Sequence, residues 1–95
     1  MSLSTHVLDT ERGRPAAGVR VELYDGAGAL VADGVTDADG RIRELADTTP
    51  GTYRIVFHPA SPFFKRIELE IELDEGHHHV PLLISSYACA SYRGS

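Results

Sequence analysis

The chain has 95 residues, and its 14 acidic and 9 basic side chains leave a formal net charge of −5 at pH 7. This length suits one domain, residues 1–95, and the scattered basic side chains argue against nucleic-acid binding. The single cysteine excludes an internal disulfide framework and a cysteine-rich zinc module.

The opening residues, MSLSTHVLDT, lack the basic and apolar segments of a secretion signal. No apolar stretch approaches the ~20 residues that a helix needs to cross a bilayer. The sequence therefore predicts a soluble, cytoplasmic protein with no membrane partner. Because so short a chain builds only a small core, association with further copies of itself is favoured.

Strands are predicted along the whole chain, beginning near residues 3–9. Apolar and polar residues alternate with period two over 19–24, over 53–57 and most clearly in RIELEIEL at 66–73. A last strand is predicted near 87–93. Turn signals rich in Gly, Pro and Asp separate these segments at intervals typical of a sandwich. We predict an all-β, two-sheet antiparallel β-sandwich of about seven or eight strands.

Several polar residues stand within or beside these strands. His6 lies in the middle of the first strand, and Arg41 directly follows an Asp-Gly turn. In EGHHHVPLL, strand alternation points His77 and His79 to one face and His78 to the other. From the pattern alone, each of these residues is more often structural than catalytic. A histidine in a strand is usually a surface or hydrogen-bonded residue, which applies to His58 as well, and an arginine after a turn is usually solvated.

The same pattern places two potential metal ligands, His77 and His79, on one face of the strand. Two ligands at i and i+2 can hold one side of a zinc ion, but a catalytic site needs a third protein ligand. Nothing in the sequence fixes that ligand among His6, His58 and Asp74. We therefore predict no metal site.

Four stretches carry more specific information: THVLDTERGRPAAGVRVELY, TDADGRI, TPGTYRIVF and HVPLLISSYACASYRGS. In this order, and over nearly the whole chain, they resemble the transthyretin-related 5-hydroxyisourate hydrolases. The terminal YRGS is the most specific, since transthyretin, the hormone carrier of the same fold, does not end this way. The resemblance implies a transthyretin-like homotetramer, a dimer of dimers with active sites where two dimers meet.

The resemblance also implies which residues act. The implied catalytic residues are His6, Arg41, His79 and Ser95, and the implied substrate-binding residues are Arg41, Tyr92, Arg93 and Gly94. The implied reaction is the hydrolysis of 5-hydroxyisourate, an oxidised purine made from urate, to 2-oxo-4-hydroxy-4-carboxy-5-ureidoimidazoline. It requires neither a metal nor a cofactor.

The residue types suit this chemistry. A histidine that titrates near neutral pH can activate water, which typically accelerates a reaction by ~10² to 10⁴-fold. Either His6 or His79 could be the base. The planar guanidinium of Arg41 can hold the substrate and stabilise a developing oxyanion, and Ser95 would orient a histidine or the water.

The sequence departs from the family at one segment. Between TYRIVF and RIELEIEL the chain has room only for a turn, so the short helix of the family is predicted to be absent. Two non-enzymatic alternatives remain open. The middle of the chain also resembles carboxypeptidase-regulatory-like sandwiches, which would be binding or structural modules, and a transthyretin-like carrier would need an apolar ligand channel.

Overall fold

The period-two pattern is realised as strands throughout the computed structural model, which describes residues 1–94. The strands are β1 (Ser2–Asp9), β2 (Arg14–Pro15), β3 (Arg20–Tyr24), β4 (Leu30–Val35), β5 (Arg41–Asp47), β6 (Gly51–His58), β7 (Ile67–Leu73), β8 (His77–His79), β9 (Leu82–Ile84) and β10 (Cys89–Ser91). Residues 1–94 contain no helix, and hence none that could cross a membrane.

The strands form two sheets, which confirms the predicted all-β sandwich. In the six-stranded sheet, β1 lies at the centre and pairs with β2, β5, β8 and β9, while β10 extends the sheet beyond β9. The four-stranded sheet has the order β4-β3-β6-β7. Six of the eight pairings among the described strands are antiparallel, whereas β8 and β9 run parallel to β1. The first sheet is therefore mixed.

The core lies between the two sheets. It includes the fully buried Leu3 and Val7 of β1 together with Ile55 and Phe57 of β6. Burying an apolar side chain of this size stabilises the folded state by about 1.5–3 kcal/mol relative to leaving it exposed. Side chains alternate between the two faces of a strand. Because Leu3 and Val7 point into the core, the even-numbered residues between them point towards the outer face.

Two local features explain how the strand count differs from the prediction. The segment 77–84 forms two strands, β8 and β9, because Pro81 has no backbone N–H to continue the ladder. The two-residue β2 adds a further short strand. The connection between β6 and β7, residues 59–66, is a turn without a helix, as its length predicts. In this turn the hydroxyl of Ser61 accepts hydrogen bonds from the N–H groups of Phe63 and Phe64.

Candidate active site

Strand β1 brings distant residues together on the outer face of the six-stranded sheet. Its antiparallel pairing with β5 sets His6 opposite Arg41, and its parallel pairing with β8 sets Ser4 opposite His79. Thr5, between Ser4 and His6, is fully buried, so its neighbours point outward. The outer face therefore gathers three of the predicted site residues, His6, Arg41 and His79, from three strands that are distant in sequence.

His79 is half-buried and hydrogen-bonded through one ring nitrogen. Its Nδ1 lies 2.8 Å from Oγ of Ser4. Burial lowers the pKa of His79, the guanidinium of Arg41 lowers it further, and a proton on His6 or His77 would act in the same direction. The ring is therefore neutral at pH 7. Among residues 1–94, Nε2 of His79 has no side-chain hydrogen-bond partner, so this nitrogen is available to a ligand.

The turn before β5 holds His6. A carboxylate oxygen of Asp37 accepts hydrogen bonds from the backbone N–H groups of Asp39, at 2.8 Å, and of Arg41, at 3.0 Å. The carbonyl of Asp39 then accepts a hydrogen bond from Nε2 of His6 at 2.8 Å. Because a carbonyl only accepts, Nε2 must carry the proton, and a neutral His6 presents the lone pair of Nδ1.

The C-terminal segment packs against His79. The N–H of Gly94 donates to the carbonyl of His79 at 2.7 Å. A Cβ atom on Gly94 would lie 2.6 Å from Cδ2 of His79, so no larger residue fits without a shift. Tyr92 and Arg93 instead line a neighbouring groove beside β7. Ser95, the remaining predicted catalytic residue, lies outside the described residues.

The structure adds Ser2 and Ser4, which the sequence analysis did not single out. The hydroxyl of Ser4 contacts both His79 and Nε2 of His77, the latter at 3.0 Å, and Nδ1 of His77 lies 2.7 Å from Oγ of Ser2. One signal was present in the sequence: both serines share the strand parity of His6. Within residues 1–94, no three His, Cys, Asp or Glu side chains converge as metal ligands would.

The other two histidines lie away from this face. His78 is only 3% exposed, and its Nε2 donates to the carbonyl of Asp74 at 3.1 Å in the turn between β7 and β8. His58 is hydrogen-bonded to Glu22 on the four-stranded sheet, and this bond is the largest cause of the lowered pKa of Glu22. Both contacts agree with the structural roles predicted for these two residues.

Residues 3–94, nearly the whole chain, match the model of the HIUase/Transthyretin family. The 5-hydroxyisourate hydrolase of Deinococcus radiodurans is 39% identical over 113 residues, covering 98% of this chain and 95% of that protein. The solved structure of Klebsiella pneumoniae 5-hydroxyisourate hydrolase matches with a TM-score of 0.89 at 35% identity, covering 99% of this chain and 98% of that one. Sea bream transthyretin in complex with thyroxine matches with a TM-score of 0.85 at 28% identity, covering 96% and 92%. The chain therefore belongs to the HIUase/Transthyretin family.

Proposed function

We propose that this chain is a 5-hydroxyisourate hydrolase of urate catabolism, which adds water across a ring amide bond to give 2-oxo-4-hydroxy-4-carboxy-5-ureidoimidazoline. The observation that carries the proposal is the outer face on which His6, Arg41 and His79 meet. Relatives bearing this enzyme name match nearly the full chain.

In the proposed mechanism His79 is the general base. Its lowered pKa keeps the imidazole neutral at pH 7, and its Nδ1 is occupied by Ser4, which leaves Nε2 to take a proton from water. The hydroxide adds to the ring carbonyl, the C–N bond breaks, and the proton passes from His79 to the departing nitrogen. Base catalysis of this kind contributes ~10² to 10⁴-fold.

Arg41 and His6 hold the substrate in this scheme. The guanidinium of Arg41 donates in a plane and carries a fixed positive charge, which suits a purine-like edge and the oxyanion formed on attack. The backbone contact of His6 orients Nδ1 as an acceptor, which can take a hydrogen bond from a ring N–H or from the attacking water.

We assign the C-terminal tetrapeptide to the rim of the site. Gly94 lies against the ring and the backbone of His79, and Ser95 is the residue that follows Gly94 in the sequence. By the family resemblance, Ser95 orients a histidine or the water. Tyr92 and Arg93 are exposed and available to a substrate bound between subunits.

We propose that the protein is a homotetramer, built as a dimer of dimers with the active sites between dimers. In the part of the chain that the structure describes, β7 and β10 end their sheets. A groove of about 330 Å³ lies between them and includes the apolar side chains of Leu69, Ile71 and Val80. Free edges and an apolar groove suit pairing with a second copy. The outer face at His6 would then form the second interface.

The activity is tested by the decay of freshly made 5-hydroxyisourate, followed by its absorbance with and without micromolar protein. We expect faster decay than the spontaneous rate, and the same acceleration in the presence of a chelator. Decay at the spontaneous rate would refute the proposal. A non-catalytic sandwich module or a carrier would give that result.

The roles are tested by three variants, His6→Ala, Arg41→Ala and His79→Ala. Each is expected to fold and to lose about 10² to 10⁴-fold in kcat/KM. His78→Ala is the matched control, because it removes the neighbouring imidazole from the opposite face of β8. Equal losses in His78→Ala and His79→Ala would refute the assignment. Deletion of Ser95 tests the rim separately and should lower turnover.

A further inference from the structure

The hydroxyl of Ser4 lies between the ring nitrogens of two histidines on the outer face. Its Oγ is 2.8 Å from Nδ1 of His79 and 3.0 Å from Nε2 of His77. On the far side of the His77 ring, Nδ1 lies 2.7 Å from Oγ of Ser2. All three separations are within hydrogen-bonding distance, so the position of each hydrogen in this cluster depends on the others.

The hydrogen of the Ser4 hydroxyl has two possible acceptors among the described residues, Nδ1 of His79 and Nε2 of His77. A hydroxyl donates one hydrogen bond and accepts through two lone pairs, whereas a neutral imidazole has one N–H and one bare nitrogen. If Ser4 donates to His79, the hydrogen of that ring must be on Nε2. If Ser4 donates to His77 instead, its lone pairs can accept from Nδ1–H of His79, and Nδ1–H of His77 donates to Ser2.

The proposed function requires the second of these arrangements. A base that takes a proton from water through Nε2 needs a lone pair on that nitrogen, so the neutral ring of His79 must carry its hydrogen on Nδ1. In water a free histidine side chain prefers its hydrogen on Nε2, so the reactive tautomer has to be stabilised by a hydrogen-bond acceptor at Nδ1. The hydroxyl of Ser4 occupies that position.

We propose that Ser2, His77 and Ser4 are positioning residues that together hold the neutral His79 in its Nδ1–H tautomer; this inference rests on the proposed function. Because Ser2 accepts from Nδ1 of His77, the other nitrogen of that ring, Nε2, is bare and takes the hydrogen of Ser4. The lone pairs of Ser4 are then available to His79 alone. None of the three residues touches a reacting atom, since all act through the ring of His79.

The arrangement is the same before and after each turnover. When Nε2 of His79 takes a proton from water, Nδ1 keeps its own hydrogen and continues to donate to Ser4, which also stabilises the imidazolium. Nε2 then gives its proton to the departing nitrogen, and the ring returns to the neutral Nδ1–H form. No hydrogen of Ser4, His77 or Ser2 changes place, so His79 can act as base on the next substrate.

The tautomer of His79 can be observed directly, without substrate. In protein labelled with ¹⁵N in its histidines, two-bond ¹H–¹⁵N correlation spectra distinguish an Nδ1–H ring from an Nε2–H ring, and the signals of His79 are those missing from His79→Gln. We expect the Nδ1–H form in the wild type at pH 7.5. Ser4→Ala removes the acceptor and should shift the ring towards the Nε2–H form, whereas Ser4→Thr keeps a hydroxyl and should retain the Nδ1–H form.

The same variants are compared by steady-state kinetics and thermal unfolding. Ser4→Ala should lower kcat by about 10- to 100-fold, the range seen when a group that orients a functional histidine is removed. The KM should change little, because Arg41 and His6, which hold the substrate, are intact. Ser4→Thr should recover most of the lost kcat. Thr52→Ala is the control for both measurements, because it removes an exposed strand hydroxyl from the other sheet, where it contacts Glu72.

His77→Ala and Ser2→Ala test the two residues behind Ser4. In His77→Ala, the only acceptor left to the Ser4 hydrogen among the described residues is Nδ1 of His79. The Nε2–H tautomer should therefore become more populated, and kcat should fall about fivefold, the equivalent of one ordinary hydrogen bond. Ser2→Ala should act in the same direction with a smaller effect, because it only frees the His77 ring to place its hydrogen on either nitrogen.

The outcomes distinguish this inference from the proposed function. If the wild-type protein does not accelerate substrate decay, both fail. If the wild type is active but its His79 is in the Nε2–H form, or if the ring stays in the Nδ1–H form in Ser4→Ala, the positioning role alone is refuted. A wild-type kcat in Ser4→Ala would also refute it. A lower kcat with an unchanged tautomer and no recovery by threonine would leave Ser4 a packing role only.

Discussion

Substitution of Gly94 by alanine should disable the site without unfolding the protein. The added Cβ would lie 2.6 Å from Cδ2 of His79 and 3.1 Å from its carbonyl oxygen, whereas non-bonded carbon atoms normally approach to about 3.5–4.0 Å. The ring or the C-terminal segment must therefore move by about 1 Å. Misplacing a catalytic group by that distance can cost about 10²-fold, or about 2.7 kcal/mol of transition-state stabilisation.

The assay for Gly94→Ala combines steady-state kinetics with thermal unfolding. We expect kcat/KM to fall by about 10²-fold, while the Tm stays close to that of the wild type because Gly94 is an exposed residue beyond the last strand. Gly26→Ala is the matched control: a Cβ there would make only an ordinary contact, 3.6 Å from the carbonyl of Thr52. Wild-type kinetics in Gly94→Ala would refute the packing of this segment against His79.

Three further predictions concern stability. Gly40→Ala should lower the free energy of unfolding by at least about 1–3 kcal/mol in urea titration, since φ is +75° and the new Cβ would lie 2.5 Å from the carbonyl oxygen of Val7. His78→Ala should lower it by about 2–3 kcal/mol with kcat unchanged, because the buried ring and its bond to Asp74 are lost. Lowering the pH should also destabilise the protein. Because the pKa of His79 is lowered in the folded state, the unfolded chain binds more protons than the folded one below about pH 6.5. The stability that the neutral His79 ring contributes above this pH is therefore lost as the pH falls through the folded-state pKa. Urea titrations at pH 7.5 and 5.5 should show a smaller loss for His79→Gln than for the wild type.

Residue alternation and segment length are sufficient to predict much of the fold. The alternation in RIELEIEL predicts the strand and its inward face, and the brevity of residues 59–66 predicts a connection without a helix. Parity within 77–79 also separated the buried His78 from its outward neighbours. These properties depend on residues close in sequence, so one chain is enough to reveal them. The sequence pattern does not predict the break at Pro81, because the apolar run on either side of this residue resembles one strand.

The assembly of the site depends on pairing between distant strands, which periodicity does not encode. His6 meets Arg41 only because β1 and β5 are antiparallel neighbours in a particular register, and β8 joins β1 in a parallel pairing. The family resemblance supplied these residues, but not Ser4, whose contact with two histidines is visible only when β1 and β8 lie side by side. Serine in a strand carries no local sign of such a role.

The choice between a hydrolase and a carrier rests on this one face of the sandwich. A fold shared with a thyroxine-bound transthyretin does not itself indicate an activity. An apolar ligand laid across the outer face would have to desolvate Arg41 and the imidazoles of His6 and His79, at a cost that few apolar contacts offset. A polar heterocycle that hydrogen-bonds to these groups avoids that cost. The arrangement that is unfavourable for a carrier is thus the one that a hydrolytic site requires, and it points to a polar, oxygen-rich ring as the substrate.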